Sequence, residues 1–183
     1  MQEPQLIEAC QRNDALAWEQ LVRNYQNRVF GFAMTFVHHR DDAHDLAQEI
    51  FVRVYKHLNS YDGSSSFQAW LFALARNCCI DRIRRNKVRS RFMAHVDEEA
   101  EFTCPQPTPQ DLTETNNHRS MLQRALATLS EQSREMIVLK EIQGLKFREI
   151  ADMLGIPEGT AKSRSGRARL DLAQALTRLG YGG

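Results

Sequence analysis

The sequence predicts an all-α protein of two small helical domains joined by a flexible linker. Apolar residues recur at intervals of three and four along most of the chain, which is the pattern of amphipathic helices. No stretch of β-branched residues alternates with the period of two that marks a strand. An acidic segment with three of the five prolines, residues 92–118, separates the two helical parts. We therefore expect domains at residues 1–91 and 119–183.

The charge of the 183-residue chain is nearly balanced but unevenly distributed. The formal net charge is only +1, and 42% of the residues are apolar, which is enough for packed cores. Residues 82–91 contain six basic residues and no acid, whereas residues 97–118 contain six acids and no Lys or Arg. Residues 121–183 contain ten basic and seven acidic residues. This distribution predicts two basic patches on either side of an acidic tether.

The first domain is expected to contain three long helices. Asn13 or Asp14 can cap the first, and the second begins near Asp41, with acids at the end that the helix dipole favours. A polar loop at residues 59–66 leads to the third, residues 67–86, whose apolar residues cover more than one stripe and predict a central helix. Predicted inward positions are Trp18, Leu21, Val22, Tyr25, Val29, Phe32, Ala33 and Phe36, then Ala43, Leu46, Ala47, Ile50, Phe51, Val54 and Leu58. The positions left outside on the second helix are Asp45, Gln48, Glu49, Arg53 and Lys56.

The end of the chain, residues 145–172, predicts a helix-turn-helix. Apolar residues repeat at helical spacing up to Gly155, which accepts the left-handed backbone that ends many helices. Pro157 suits the start of the next helix, because its φ is fixed and it lacks an N–H. A span of that helix without acids carries Lys162, Arg164, Arg167 and Arg169. Such a helix fits the major groove of DNA, and the alternative is a solvated basic face on an ordinary hairpin.

The cysteines and the apolar runs predict a cytoplasmic protein without a membrane segment. Cys10, Cys78, Cys79 and Cys104 lack CxxC spacing and are expected to be reduced, with the adjacent pair buried. The N-terminus does not resemble a signal peptide, and the longest apolar run, residues 29–37, is too short to cross a bilayer. The sequence contains no GxxxxGK[ST] phosphate loop, so we expect no cofactor and no ATP-driven step.

Three segments together resemble the bacterial extracytoplasmic-function sigma factors. They are DLAQEIFVRVY at residues 45–55, SSFQAWLFALARNCCIDRIRR at residues 65–85 and LKFREIADMLGIPEGTAKSR at residues 145–164, in that order. The resemblance covers nearly the whole chain apart from the linker and the tails. It implies a transcription initiation factor that is not an enzyme. Its first domain, sigma region 2, would bind core RNA polymerase and open the −10 promoter element, and its second, sigma region 4, would read the −35 element as duplex.

The resemblance assigns the first domain's contacts residue by residue. Polymerase binding falls on Asp45, Gln48 and Glu49, which the helical pattern also leaves outside. Asn77 matches the position that holds a base turned out of the stack, and the arginines are expected to hold phosphates, since clustered like charges repel unless solvent or an anion lies between them. For Trp70 a core position is the alternative. The full −10 set is Ser64, Ser65, Ser66, Phe67, Trp70, Asn77, Arg82, Arg84 and Arg85.

In the second domain the resemblance places the −35 contacts on the second helix of the helix-turn-helix. Arg164 and Arg169 are expected to bind phosphate or form salt bridges. Relatives carry a large apolar residue at 165 and a bulky one at 166, whereas this chain has Ser165 and Gly166. That departure predicts looser packing at 165 and no side-chain contact at 166, and an interior Gly costs about 1 kcal/mol of helix stability. The −35 set is Thr160, Lys162, Ser163, Arg164 and Arg167.

The resemblance also implies partners. These are the clamp helices of the polymerase largest subunit, the polymerase flap, promoter DNA, and an anti-sigma protein that occupies the polymerase-binding surfaces. It implies a protein that does not insert into membranes and is a monomer when free.

Two other functions are weighed against this one. The dipeptide His44–Asp45, with Asp41, Asp42 and Glu49 nearby, is found in helical metal-dependent phosphohydrolases, but the other histidines show no helical ligand pairing, so we expect no metal site. A dimeric repressor fits the helix-turn-helix equally well, but its first domain would need a self-complementary apolar seam. DNA binding that depends on core polymerase distinguishes a sigma factor from such a repressor.

Overall fold

The computed structural model describes residues 2–37, 39–93 and 114–181, and these ranges contain helices and turns but no strand. The all-α prediction is therefore confirmed. The chain divides into two compact units, Met1–Glu98 and Glu99–Gly183. Most of the segment expected to be a linker, residues 94–113, lies outside the described residues. The two ends of that segment are helical, because one helix runs to Met93 and the next begins at Glu114.

The first unit is built from four helices. They are α1 (Glu3–Gln11), α2 (Ala15–Ala33), α3 (Arg40–His57) and α4 (Phe67–Met93), with a 3₁₀ turn at Leu58–Ser60. Helix α2 packs against the other three, and α3 packs against α4. Most of the predicted inward residues are buried, including Leu21, Phe32 and Ile50. The exceptions are half-buried: Trp18, Val22, Phe36 and Phe51.

Helix α1 is an element that the sequence pattern did not predict. It is only nine residues long and has a proline in its first turn. Tertiary contacts hold it, since the Tyr25 hydroxyl is hydrogen-bonded to the Glu3 carboxylate and Trp18 Nε1 donates to the Cys10 carbonyl over 3.0 Å. Asp14 caps α2 as expected, because its Oδ1 accepts from the N–H of Leu16 at 2.9 Å.

The second unit is a four-helix cluster around the last helix. Its helices are α5 (Glu114–Thr128), α6 (Glu131–Ile137), which continues into a π-helical turn at Val138–Ile142, α7 (Phe147–Leu154) and α8 (Glu158–Arg178). Helix α8 packs against α5, α6 and α7. Gly155 has the expected left-handed backbone, with φ 64°. Pro157 precedes the first helical residue of α8 instead of occupying it, with ψ 144°.

Polar contacts fix α5, α6 and α8 in addition to apolar packing. Arg134 closes the C-terminal end of α5: its Nε donates to the Leu126 carbonyl at 2.8 Å, and its Nη2 donates to the carbonyls of Ala127 and Leu129. The Ser133 hydroxyl donates to Asp171 Oδ2 over 2.7 Å and so joins α6 to α8. The bond from Ser133 to Asp171 limits rotation of α8 about its own axis, and the Arg134 bonds fix α5 against α6. None of the helices in the described part of the chain is both long and apolar enough to cross a membrane.

The back of α8 contains one buried polar side chain, Ser165. The buried residues of this face are small: Ala161, Ser165, Ala168 and Ala175. Ser165 is 0% exposed, and its hydroxyl has no hydrogen-bond partner among the described residues. The looser packing expected at 165 is not what the structure shows, because Ser165 is fully buried and its hydroxyl is unpaired within the described part of the chain.

We expect Ser165→Ala to raise the free energy of unfolding by about 1 kcal/mol, because it removes a buried group that lacks its hydrogen bond. The thermal midpoint measures this, and Ser163→Ala on the exposed face of α8 is the control, expected to change stability by less than about 0.5 kcal/mol. A lower midpoint for Ser165→Ala would contradict the assignment of an unsatisfied hydroxyl.

Candidate functional site

The outer face of α3 combines polar and apolar side chains. Asp45 and Gln48 are exposed, as predicted. Val52 and Tyr55 follow at helical spacing on the same stripe and are 51% and 57% exposed. We call this set, Asp45, Gln48, Val52 and Tyr55, the α3 outer face. An exposed apolar stripe next to polar residues is typical of a protein-binding surface.

An apolar groove lies beside the α3 outer face, between α2 and α3. Its volume is about 490 Å³. The Trp18 and Tyr55 rings meet across it, with centroids 5.0 Å apart. The lining residues are Asn13, Ala15, Trp18, Val22, Phe51, Val52 and Tyr55. Sequence reasoning missed the groove because it assigned Trp18, Val22 and Phe51 to the core. The sequence signal that could have revealed the groove is the position of two apolar residues, Val52 and Tyr55, on the same side of α3 as the exposed polar residues.

Glu49 and Arg53 do not lie free on the outer face of α3, contrary to the prediction. Oε1 of Glu49 is 2.7 Å from Nη2 of Arg85 and 3.6 Å from Nη2 of Arg53. Arg53 Nη1 in turn donates to Asp81 Oδ2 over 3.0 Å, and this hydrogen bond raises the pKa of the guanidinium. The packing of α3 against α4 brings these residues together. As a result, the Glu49 and Arg53 side chains are only 28% and 31% exposed.

The three arginines predicted to hold −10 phosphates have different surroundings. Arg85 pairs with Glu49, and Nη2 of Arg82 is 4.0 Å from Asp42 Oδ1. Arg84 is exposed and has no ion pair within the ranges that the structure describes. Asp42 and Glu49 on α3 therefore neutralise part of the positive charge of this basic segment.

Three aromatic rings form a platform at the start of α4. The centroid of Phe67 is 5.7 Å from that of Trp70, with near-parallel planes, and Tyr61 lies 5.6 Å and 5.5 Å from the two. We call Tyr61, Phe67 and Trp70 the aromatic platform. Phe67 is 1% exposed, which corrects its predicted role: its ring offers no surface to a base and instead supports Trp70. Trp70 is half-buried, and Tyr61 is a platform member that sequence reasoning missed.

The loop that precedes α4, residues 62–66, is ordered by its own hydrogen bonds. The Asp62 carboxylate accepts from the Ser64 N–H at 2.9 Å, and its bonds with Ser64 lower the pKa of the carboxyl. The Tyr61 hydroxyl donates to the Ser65 carbonyl over 2.8 Å. Ser66 Oγ accepts from the Ala69 N–H at 3.2 Å and caps α4. Ser64, Ser65 and Ser66 are all exposed, so the loop presents an ordered polar edge.

One stripe of α4 joins this loop to the basic segment. Trp70, Asn77 and Arg84 are seven residues apart, which places them on the same side of a helix about two turns from one another. Asn77 and Arg84 are exposed. The structure thus brings together an aromatic edge, an amide and a guanidinium in a line, whereas Arg82 and Arg85 are directed towards α3.

Helix α8 presents its predicted DNA contacts on the side opposite its buried back. Ser163 lies near the middle of the exposed side with Lys162 and Arg167 on either side of it, and the exposed Arg164 lies closer to the buried back. Thr160 is half-buried at the edge and accepts from the Ser163 hydroxyl through its carbonyl at 3.0 Å. Leu170, 66% exposed, extends this side by a further turn. Gly166 is exposed with open space around it.

The basic residues of α8 differ in their pairing. Lys162 Nζ is 2.7 Å from Glu158 Oε1, and this contact lowers the pKa of the Glu158 carboxyl. Arg169 Nε is 3.4 Å from Glu141, so it forms the salt bridge that was one of its two predicted roles. Among the described residues, neither Arg164 nor Arg167 has an ion pair, which leaves these two guanidinium groups available to an anion.

The cysteines and histidines do not form a metal site in the described ranges. Cys10, Cys78 and Cys79 are buried thiols, and burial raises the pKa of Cys78 to about 11. Cys104 lies outside the described residues. Within residues 2–37, 39–93 and 114–181 no group of three or more His, Cys, Asp or Glu side chains could hold a metal ion.

Two family models match the chain, one in each unit. Residues 21–89 match sigma-70 region 2, and residues 119–172 match sigma-70, region 4. The RNA polymerase sigma-H factor of Pseudomonas aeruginosa is 32% identical over 183 residues, covering 96% of this chain and 94% of the relative. The sigma factor SigW of Bacillus subtilis, described as an ECF RNA polymerase sigma factor, is 30% identical, covering 93% of this chain and 94% of its own.

Solved structures of similar sequence share the fold. The sigma factor RpoE from Bartonella quintana, solved in complex with the anti-sigma factor NepR, matches with a TM-score of 0.70 and 26% identity, over 87% of this chain and 96% of that chain. CnrH, solved in complex with the cytosolic domain of CnrY, matches with a TM-score of 0.66 and 25% identity, over 94% of this chain and 96% of that chain.

Proposed function

Since the chain belongs to the sigma-70 family, in the extracytoplasmic-function group of transcription initiation factors that direct RNA polymerase to promoters, we propose how its surfaces divide this work. The first unit binds core RNA polymerase and the −10 element, and the second reads the −35 element. We place the tether between the end of α4 at Met93 and the start of α5 at Glu114, so that the helical ends of the segment expected to be a linker belong to the two units. The protein supplies recognition and no catalysis, and it works in the cytoplasm, where polymerase and DNA are.

The α3 outer face and the apolar groove are the proposed contact with the clamp helices of the polymerase largest subunit. A partner helix with an apolar stripe fits the groove, where Trp18 and Tyr55 supply the large aromatic area that dominates many interfaces. Asp45 and Gln48 lie next to the groove and orient the partner through polar contacts. Glu49 contributes from the edge of this surface. The second unit is proposed to bind the polymerase flap.

The loop at residues 62–66, the aromatic platform and the stripe with Asn77 are the proposed −10 site. An unpaired base stacks on the exposed edge of Trp70 and bonds with Asn77 and the serines of the loop. Stacking contributes roughly 1–3 kcal/mol per base, which offsets the few kcal/mol needed to turn a base out of the duplex. Opening therefore needs no nucleotide hydrolysis. Arg82, Arg84 and Arg85 hold the backbone, and Arg84 is the one without an intramolecular ion pair in the described chain.

The exposed side of α8 is the observation that carries the proposal for duplex recognition. Ser163 and Arg167 on this side face base edges in the major groove, and Lys162 and Arg164, further round the helix in the two directions, face the phosphates of the two strands. The hydrogen bond between Ser133 of α6 and Asp171 of α8 ties the helix to its neighbour, which favours one orientation of these side chains before DNA binds. Thr160 contributes from the edge.

An anti-sigma protein is the proposed regulator. The similar sigma factor RpoE from Bartonella quintana was solved in complex with such a partner. In this chain, the apolar groove and the exposed Val52 and Tyr55 provide a surface for which a polymerase helix and an inhibitor would compete. A free monomer without this partner would expose the groove to solvent.

Run-off transcription from a promoter library, with purified core polymerase, tests the function directly. We expect transcripts only when the protein is added, and a shared −35 motif among the active templates. The best template then serves a test of Arg167→Ala, which should lose roughly 1–3 kcal/mol of binding and relax the preference at one −35 position if Arg167 reads a base edge.

Arg164→Ala is the matched control for that variant, because Arg164 lies on the flank of the same helix. We expect it to weaken binding evenly across sequences and to reduce the salt slope by about one. Equal, sequence-independent losses for the two variants would show that α8 makes only phosphate contacts. Tight DNA binding without core polymerase would favour a repressor.

A further inference from the structure

Glu49 and Arg85 belong to surfaces with different proposed partners, yet their side chains bind each other. The distance between Glu49 Oε1 and Arg85 Nη2 is 2.7 Å, although the residues are 36 positions apart in sequence. We propose that Glu49 masks Arg85 in the free protein by occupying the place of a DNA phosphate, an inference that rests on the proposed −10 role of the basic segment.

The donor edge of Arg85 that suits a phosphate is already in use. Its Nη2 donates to the Glu49 carboxylate, and its Nε donates to the backbone carbonyl of Asp81 over 3.3 Å. A guanidinium binds phosphate best through two parallel N–H groups. On Arg85 one such pair is formed by Nε and Nη2, which are bonded to the Asp81 carbonyl and the Glu49 carboxylate. DNA must therefore displace the Glu49 carboxylate before Arg85 can make a bidentate contact through this edge.

Glu49 is held in position for this contact by a second arginine. Arg53 lies 3.6 Å from the same Oε1 atom of Glu49 and is itself anchored to Asp81 at 3.0 Å. The four side chains alternate in charge across the contact of α3 with α4: Asp81, Arg53, Glu49 and Arg85. Because Arg53 stays with Glu49, the carboxylate keeps a partner when Arg85 leaves, which lowers the free energy needed to release Arg85.

The arrangement couples two binding events in the first unit. Glu49 lies one residue from Gln48 on the helix that is proposed to meet the polymerase. A partner that draws the Glu49 carboxylate towards itself frees Arg85 for DNA, and by linkage DNA bound at Arg85 frees Glu49 for the partner. Weak DNA binding by the free protein and stronger binding in the holoenzyme follow from the same ion pair.

Glu49→Gln in the full chain tests the masking without polymerase. The probe is a fluorescein-labelled single-stranded oligothymidylate, which reports phosphate contacts without sequence preference. We expect Glu49→Gln to bind it about two- to fivefold more tightly than the parent, the range that a partly exposed ion pair supports. The slope of log K against log salt should steepen by about 0.7, the value for one added phosphate contact on a single strand.

Three further variants isolate the ion pair. Glu19→Gln removes the same charge from an exposed pair on α2, where Glu19 lies 2.7 Å from Arg23, and should leave the salt slope unchanged. Arg85→Gln should weaken oligothymidylate binding in the Glu49→Gln background but hardly in the parent, where the guanidinium is masked. Arg84→Gln, which removes an arginine without such a mask, should weaken binding equally in both backgrounds.

Equal affinities for Glu49→Gln and Glu19→Gln would overturn the masking, as would weaker binding by Glu49→Gln. So would an Arg85→Gln effect of the same size in both backgrounds. Failure of the proposed function gives a different result: if α4 does not bind the DNA backbone, neither Arg84→Gln nor Arg85→Gln changes oligothymidylate affinity in any background. If Arg84→Gln weakens oligothymidylate binding but Glu49→Gln does not strengthen it, the masking is wrong and the proposed backbone contact of α4 is retained.

Discussion

The double variant Asp45→Arg with Tyr55→Ala is expected to lose core RNA polymerase binding by about 30- to 1000-fold, or roughly 2–4 kcal/mol. Charge reversal at Asp45 places a cation where the polymerase partner meets an acid, and truncation at Tyr55 removes an aromatic wall of the apolar groove. Both side chains are exposed, so the fold should not change. Co-elution with core enzyme measures the loss, and circular dichroism with the thermal midpoint confirms folding.

Glu8→Arg is the control, because it makes the same charge change at an exposed position on α1, away from the α3 outer face. It should co-elute like the parent. Glu49→Arg is unsuitable for this purpose, because it also breaks the ion pair with Arg85 and alters the DNA surface. A folded Asp45→Arg, Tyr55→Ala protein that still co-elutes with core enzyme would refute the placement of the polymerase on α3.

Asn77→Ala is expected to reduce promoter opening by roughly 5- to 150-fold, which corresponds to about 1–3 kcal/mol. The amide is exposed on the stripe that joins the aromatic platform to Arg84, where it can bond a base turned out of the stack. A fluorescent adenine analogue in the −10 element should brighten when the parent holoenzyme is added without ATP, and this signal should fall in the variant while polymerase binding is retained. A pre-melted template should restore transcription.

Asn86→Ala is the matched control for this experiment. Asn86 is an exposed asparagine on the same helix, and nine residues of rotation place it on the opposite side of α4. It should open promoters like the parent. Phe67→Ala does not serve as a test of base contact, because Phe67 is buried and its removal would cost about 3–5 kcal/mol of stability. Equal opening by Asn77→Ala and the parent would transfer base capture to other residues.

The helices were predictable where a local signal marks them. Asp14 as a cap, Gly155 as a stop, and the apolar period of α2 and α3 each act within a few residues, and the structure places them as expected. Helix α1 was not predictable in this way, since the contacts that hold it involve Tyr25 and Trp18 of the next helix. Tertiary packing supplied what the local pattern lacked.

The candidate site was predictable to the same degree. Exposure of Asp45 and Gln48 follows from helical periodicity, and the structure agrees; Asn77, which was assigned by the resemblance alone, is exposed as well. Their functional roles stay predictions. The pairing of Glu49 with Arg85 depends on the rotation of α3 against α4, which no local pattern determines. Burial of Phe67 depends likewise on Tyr25 and Tyr61, whose rings meet its ring at 5.5 Å and 5.6 Å.

The small residues that α8 buries are different from the residues that are proposed to contact DNA. Ala161, Ser165, Ala168 and Ala175 form the buried face of the helix and Asp171 bonds Ser133 of α6, whereas the side chains of Ser163 and Arg167 are exposed. Residues on the DNA side can therefore be exchanged without repacking the unit. We expect that grafting the proposed DNA-contacting residues of another sigma factor onto α8 changes the promoter preference and leaves the packing of the second unit unchanged. Promoter specificity and folding of the unit would then be separable properties of one helix.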